Sequence, residues 1–288
     1  MHRPLEVTHP QRIRQVRGGK RRLPTYTPLV HPPTNQQATI AVVFLQPQCN
    51  MTCSFCITEN EVDRIEFEEA VELLDHLQDI GIRNVILGGG EPFSWPGDPI
   101  ALAREAKARD MIVQVGTNGL DLPEGFAKLD CVDRWILPLE SVESEVHDAM
   151  RHAKEGHHRT VLERLEELQQ ESKSVTVSTV LTAVNVVGLA ELSRYLEAYH
   201  SVAENVHAWH LYQFLPAGRG GARNGKELWI PPGMFHEVCD SIQQAKLPFQ
   251  VFRRTDMYET QSIAFFWSEN GHIRRGGRVL DGAMDPKV

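Results

Sequence analysis

Three cysteines within eight residues, Cys49, Cys53 and Cys56, follow directly on the apolar run Ile40 to Leu45. A closed structural zinc site takes four protein ligands, whereas a metal centre that does chemistry keeps a coordination position open. A four-iron cluster held by three cysteines has one iron without a protein ligand, and that iron can bind and act on a small molecule. Gaps of three and two residues let a curled loop present all three sulfurs to one face, which a straight strand with alternating side chains could not do. The alternative is a zinc or redox cysteine loop in which Cys131 or Cys239 supplies a fourth ligand. A second stretch, Gly88-Gly89-Gly90-Glu91-Pro92, closes a second apolar run. Its glycines allow close backbone approach and its carboxylate can pair with an ammonium group, although alone it could be a plain strand-to-helix turn.

These stretches need a scaffold that repeats. From Thr39 on, short β-branched or apolar runs at 39–46, 84–88, 111–116, 133–138, 174–182 and 206–214 read as buried strands. Amphipathic patterns between them predict helices from Phe67 to Gln78, Asp98 to Ala108, His157 to Gln170 and Val187 to Tyr199. Strand followed by helix, repeated, means a parallel sheet. A complete eight-fold barrel takes about 250 residues. The repeating part is shorter and yields six units, so an α/β fold is expected: an incomplete (β/α)6 TIM-like barrel over residues 39–218. Its chemistry belongs at the carboxyl ends of the strands, where the cysteine loop, the glycine stretch, Thr117-Asn118-Gly119, Glu140-Ser141 and Phe214-Leu215-Pro216 all fall. Beyond it, Gly218 to Gly225 reads as a flexible loop, Pro232 opens a helix to Gln244, and Phe249 to Arg253 and Ser262 to Trp267 read as late strands. Residues 219–288 are expected to close one side of the barrel mouth, and Gly276-Gly277 to begin a polar tail.

CxxxCxxC after a first strand with GGGEP after a second resembles the radical S-adenosylmethionine superfamily, over about Thr39 to Arg219. The resemblance implies that Cys49, Cys53 and Cys56 hold three irons of a [4Fe-4S] cluster whose fourth iron chelates the amino and carboxylate groups of S-adenosylmethionine. An electron from a donor such as flavodoxin or ferredoxin would then release a 5′-deoxyadenosyl radical that takes hydrogen from a small-molecule or peptide substrate. It further implies that Phe55 shields the cluster and that Gly89, Gly90 and Glu91 serve the methionine end. Thr117 and Asn118 could bond ribose hydroxyls or cap a turn. Glu140 and Ser141 resemble the polar fourth-strand end that contacts ribose, Arg151 stands where relatives keep an arginine for the cofactor's carboxylate, Ser178 lies on the fifth strand, and the Leu215 backbone would face adenine.

The outline is most similar to the viperin-like and molybdenum-cofactor-maturase-like group, in Glu91-Pro92-Phe93, in Glu143 to Val146 followed by Arg151, and in Val177 to Val180 leading to Asn185. It departs at Ile57-Thr58-Glu59-Asn60-Glu61, where viperin-like enzymes place His and Lys. Acidic residues there would repel a triphosphate, so a neutral or cationic substrate, such as a peptide side chain or a cofactor precursor, is expected at least as much as a nucleotide, and a viperin-like nucleotide-modifying enzyme stands as the alternative. An iron-sulfur redox sensor without turnover is the reading from another class. Tyr212, Gln213, Arg219, Arg223 and Tyr258 are the substrate-contact candidates. His207 and His210 have opposite strand parity and on that ground cannot face one site together.

The chain has 288 residues, 41% of them hydrophobic, enough for one large domain with a proper core. Its net charge of −8 is uneven: residues 1–39 carry seven Lys or Arg against Glu6. Residues 1–38 form a basic arm, expected to be extended. Arg12, Arg14, Arg17, Lys20, Arg21 and Arg22 could contact phosphates, but Tyr26 is the arm's only aromatic, so pairing with the acidic body is expected and nucleic acid is not. No run is long enough to span a bilayer and no apolar secretion signal opens the chain. Five cysteines with three clustered do not make a disulfide framework, and an air-sensitive cluster suits a reducing compartment. A cytoplasmic protein with one cluster is expected, with Cys131 and Cys239 in the core.

Overall fold

The computed structural model describes residues 38–58, 62–152, 156–255, 262–275 and 278–280. The arm up to residue 37, Glu59 to Glu61 and Tyr258 lie outside them. In chain order, β1 (Ile40–Phe44), α1 (Phe67–Asp79), β2 (Asn84–Gly88), α2 (Pro99–Ala108), β3 (Ile112–Gly116) and β4 (Arg134–Pro138) form the first half. The next elements are α3 (Ser144–Arg151), α4 (His157–Gln170), β5 (Val175–Leu181), α5 (Leu189–Ala203), β6 (Val206–Gln213) and α6 (Gly218–Leu228). Helix α7 (Pro232–Gln244), β7 (Gln250–Arg254), β8 (Ile263–Glu269), β9 (His272–Arg275) and β10 (Arg278–Leu280) complete it.

Every strand joins one sheet, in the order β10-β9-β8-β1-β2-β3-β4-β5-β6-β7. The run from β8 to β7 is parallel throughout, and β9 and β10 add antiparallel to the β8 edge. The six-stranded repeat is thus flanked by one further parallel strand at each edge, and no pairing joins the two edges among the described residues. It is an incomplete, open TIM-like barrel. Of residues 219–288, β7 and β8 occupy the sheet's two edges beside β6 and β1.

Alternate strand residues divide between two environments. Ala41, Val43, Val85, Leu87, Val113, Val115, Trp135, Leu137, Trp209 and Leu211 are buried beneath the helices. Their neighbours Val42, Phe44, Ile86, Ile136, Ser178, His210 and Tyr212 are only half-buried, because they line the open lumen. Cys131 and Cys239 belong to the helix-side core. Cys131 precedes β4, at the opposite end of the sheet from the Cys49 loop, and Cys239 lies within α7, so neither supplies a fourth ligand to that loop. Local signals set the helix starts: Asp98 Oδ1 accepts from the Ile100 and Ala101 amides, with Pro99 at the first helical position. Asp98→Ala should cost about 1 kcal/mol, read as a lower urea midpoint with unchanged slope.

Candidate active site

The cysteine loop leaves β1 at the carboxyl end of the sheet and is held on three sides. The glycine stretch flanks it first. The Gly90 amide donates to Gln46 O at 2.7 Å, the Glu91 amide to Gln48 O at 2.8 Å, and Gln46 Nε2 returns a bond to Glu91 O at 3.1 Å. A Cβ at Gly90 would sit 1.9 Å from Gln48 O, and Gly89 has φ +126°, so both positions exclude side chains and bring the two strand ends together. Glu91 is buried. Its Oε1 accepts from Thr117 Oγ1 at 2.7 Å and from the Phe93 amide at 3.1 Å, and its Oε2 from the Asn118 amide at 2.8 Å. Burial pushes this carboxyl up, against those three donors. Two carboxylate oxygens offer about four acceptor positions, which leaves one for a ligand.

Asn118 carries the linkage onward. Its Nδ2 donates to Asn50 Oδ1 at 2.6 Å and lies 3.8 Å from Cys49 Sγ, while Asn50 Nδ2 donates to Asp121 Oδ2 at 2.7 Å. The Met51 amide donates to Cys49 Sγ at 3.4 Å, and Arg151 Nη1 lies 3.8 Å from Cys53 Sγ, its guanidinium 5.0 Å from the Phe55 ring centroid. Phe55 therefore stacks on Arg151 beside the loop.

Behind Cys53 lies an ion pair. Arg151 Nε and Nη2 both donate to Glu140 Oε1, at 3.1 and 2.5 Å, and the Val180 amide donates to Glu140 Oε2 at 2.8 Å. Burial pushes Glu140 up, and Arg151 works against it. The Glu140 carbonyl accepts from Asn185 Nδ2 at 2.9 Å, and its amide donates to His147 Nδ1 at 3.1 Å. With that nitrogen an acceptor, His147 Nε2–H must donate to His157 Nδ1 at 2.8 Å, and His157 Nε2–H to Asn118 O at 2.8 Å. Two neutral histidines thus form a directed chain from the end of β4 to the end of β3. With Asp148, which caps α4 through the His158 and Gly156 amides, they form a close group resembling a cation site. Their ring nitrogens are all committed, so they offer no lone pair.

Neutrality has a measurable consequence. Burial, then the Arg151 charge, pushes His147 down to about 2 and His157 down to about 4. Unfolded histidine titrates near 6.5, so below that pH the unfolded chain takes up protons that the folded chain refuses. Stability is full above about pH 6.5 and should fall by up to about 2 kcal/mol per histidine by about pH 5. Urea unfolding at the two pH values checks this, and His147→Gln should remove one histidine's share of the slope.

Helix α6 holds the third side. Its expected flexible loop is instead helical from Gly218, since the cysteine-loop carbonyls accept the unpaired amides of its first turn. The Arg219 amide donates to Thr58 O at 3.1 Å, and those of Gly220 and Gly221 to Cys56 O at 2.9 and 3.2 Å. Asn224 Nδ2 adds a bond to Ser54 O at 2.9 Å, and Arg219 Nη1 one to Pro47 O at 2.7 Å.

Of the other expected site residues, Ser141 is buried with Oγ accepting from the Glu143 amide at 3.0 Å, ahead of α3. Ser178 faces the lumen, its Oγ 3.5 Å from Leu137 O. Leu215 is half-buried between β6 and α6, with its carbonyl accepting from the Ala217 amide at 2.8 Å. Arg223 is exposed on α6, Tyr212 faces the lumen near the end of β6, and Gln213, the last residue of that strand, is half-buried. The parity argument for the histidines fails: the β5–β6 register slips by one residue between Val175 and Thr176. The slip brings His207 to the face of His210, and both feel the charge of Arg134. Sequence reasoning missed His147, His157, Asn50 and Asn224. Asn50 lies inside the cysteine motif but at a position the ligand spacing leaves open, and the other three stand far from it in sequence, so only their fold neighbours reveal them.

The donor set fits a [4Fe-4S] cluster. Cys49, Cys53 and Cys56 are free thiols on one loop, three donors where a closed structural zinc site takes four. Burial also pushes the Cys49 and Cys53 thiols up, opposite to what a nucleophilic or redox cysteine needs and compatible with ligands deprotonated by their metal.

An open α/β barrel with a three-thiol loop at the carboxyl ends of its strands defines a class of metal-dependent barrel proteins. Residues 43–196 match the Radical SAM superfamily, and the chain belongs to it. That family uses a [4Fe-4S] cluster and S-adenosylmethionine. The chain is similar to AdoMet-dependent heme synthase of Methanosarcina barkeri, 28% identical over 60% of this chain and 49% of that one. It is also similar to the probable GTP 3′,8-cyclase of Sulfolobus acidocaldarius, 28% identical over 62% and 56%. It spans about half the length of the curated relatives it matches. The fold is that of Streptococcus suis SuiB bound to S-adenosylmethionine, with a TM-score of 0.65 at 14% identity, over 83% of this chain and 60% of that one. Among the described residues no helix is long and apolar enough to cross a membrane.

Proposed function

We propose that the protein is a radical S-adenosylmethionine enzyme acting on a small-molecule or peptide substrate bound in its open barrel. The observation that carries this is the three-thiol loop at the barrel mouth, with the Met51 amide and Arg151 aimed at its sulfurs. When bound, a cluster reduced by an external one-electron donor would supply the electron that breaks the cofactor's C5′–S bond, which would give methionine and a 5′-deoxyadenosyl radical able to take a hydrogen atom from substrate. Cys49, Cys53 and Cys56 hold the cluster, and Arg151 and the Met51 and Asn118 nitrogens stabilise charge on it. Gly89, Gly90 and the remaining acceptor position of Glu91 serve the cofactor's methionine end. Thr117, Asn118, Ser141, Ser178 and the Leu215 backbone lie around its nucleoside end. Phe55 covers the loop and excludes water. The relatives carry names with different products, a heme and a cyclised GTP, and these names support an enzyme over a sensor.

The test is anaerobic reconstitution followed by dithionite and S-adenosylmethionine, with Cys53→Ala beside the wild type. Slow 5′-deoxyadenosine release by the wild type, absent from the variant, is expected. A wild type that carries four irons yet releases none under any substrate-containing extract would overturn the proposal in favour of a redox sensor.

A further inference from the structure

We infer that Arg254 binds a carboxylate of the substrate, whose apolar body lies against Phe252 and Tyr212. This rests on the reading that substrate enters the open barrel. Arg254 ends β7, at the same carboxyl end of the sheet as the cysteine loop. The β6–β7 register pairs Tyr212 with Arg254 and His210 with Phe252, which sets these four side chains on the lumen face. The alternate residue Arg253 faces the helices, donating to Asp240 on α7 at 2.7 Å. The His210 and Phe252 rings meet edge-on with centroids 5.2 Å apart.

Arg254 is not satisfied by its surroundings. Its guanidinium lies 5.0 Å from the Phe252 centroid, and its Nε is buried without a hydrogen-bond partner. No ion pair holds it among the described residues, whereas Arg109, Arg151, Arg164 and Arg253 each have a carboxylate. An uncompensated guanidinium in a half-buried setting marks a place where an acceptor belongs.

The chemistry around it selects the acceptor. His210 Nδ1 lies 3.2 Å from the Tyr212 hydroxyl. Burial, then the Arg254 charge, pushes His210 down to about 3, and burial pushes Tyr212 up, so both are neutral at physiological pH. An unpaired guanidinium fork beside two neutral hydrogen-bonding groups matches a planar carboxylate, which the fork can hold bidentately. Phe252 is 38% exposed, and across the barrel Phe44 and Phe265, with centroids 6.1 Å apart, add an aromatic wall at the other edge.

Ligand-observed NMR titration of the reconstituted protein with benzoate, phenyl phosphate and benzylamine tests this, using wild type, Arg254→Gln and Arg254→Lys. Benzoate is expected to bind the wild type at least tenfold more tightly than benzylamine and more tightly than phenyl phosphate. Arg254→Gln should lose about tenfold or more in benzoate affinity, and Arg254→Lys less, with circular dichroism unchanged in both. Preference for benzylamine or phenyl phosphate, or unchanged benzoate binding by Arg254→Gln, would overturn the inference. 5′-Deoxyadenosine release by the same wild-type sample separates the two claims. Release without benzoate preference sinks the subsite alone, and benzoate preference with no release even in substrate-containing extract sinks the enzymatic reading alone.

Discussion

Gly220→Ala yields a folded protein that does not keep its iron. An added Cβ would lie 2.3 Å from Cys53 O and 2.6 Å from the Cys56 amide nitrogen. Both are backbone atoms between the proposed ligands, so no flexible side chain can give way. The helix or the cysteine loop must move, and such overpacking typically costs about 1–3 kcal/mol, occasionally more. Because the loop can move only by displacing its sulfurs, the cost falls on metal affinity: about tenfold to a hundredfold, at 1.4 kcal/mol per decade. Iron and sulfide assays after anaerobic reconstitution, with circular dichroism to show the fold intact, check this. Gly233→Ala in α7 is the matched control: a Cβ there meets nothing within 4 Å, and the change should leave iron content alone. Asn224→Ala, which removes the bonds to Ser54 O and Gly220 O without adding bulk, should fall between the two. Wild-type iron in Gly220→Ala would mean that α6 does not set the loop's shape.

The strands and long helices were legible because one face of each is apolar at a regular period. The pattern from Phe67 predicts α1 to within a residue of its end, and His157 to Gln170 matches α4. Helix α6 was hidden for a physical reason. Gly218, Gly220, Gly221 and Gly225 read as breakers, since glycine disfavours an isolated helix, yet Gly218 and Gly220 are needed to let α6 touch the cysteine loop, and Gly221 lies against the Leu215 carbonyl. Helix α3 carries little apolar periodicity and forms around His147 and Met150, which pack inward. The cysteine loop and glycine stretch were legible as local motifs. The histidine chain, the Glu140 environment and Arg254 were not, because each depends on residues brought together by strand order and register. The register slip beside His207 is likewise a property of the strand pair, and no single-strand parity rule could have contained it.

Arg151→Met should destabilise the protein more than most point substitutions, and the loss should shrink as pH falls. Arg151 places its charge against Glu140, whose side chain is fully buried, and against Cys53. Deleting one partner of a buried pair leaves the other charge uncompensated, typically a cost of about 3–5 kcal/mol. With Arg151 gone, the Val180 amide alone among the wild-type donors still favours the Glu140 carboxylate, so burial raises its pKa further above the unfolded value near 4.3. An acid whose folded pKa is raised binds its proton more readily when folded, and stability is therefore regained as pH drops through that raised pKa. The Arg151 charge also lowers His147 and His157, so the comparison that isolates Glu140 at each pH is Arg151→Met against the Glu140→Gln, Arg151→Met double variant. Glu140→Gln with Arg151→Met removes both charges and should recover part of the loss, since a neutral pair of similar volume is often tolerated where a single buried charge is not. Urea unfolding of the singles and the double at about pH 7.5 and 5.5 closes the cycle. Equal losses at both pH values would show that Arg151 stabilises the fold through packing on Phe55 and not through Glu140. Because Arg151 also reaches Cys53, the double variant should regain stability without regaining the wild-type environment of the cluster. That distinction is read from the cluster's electron paramagnetic resonance signal with S-adenosylmethionine bound.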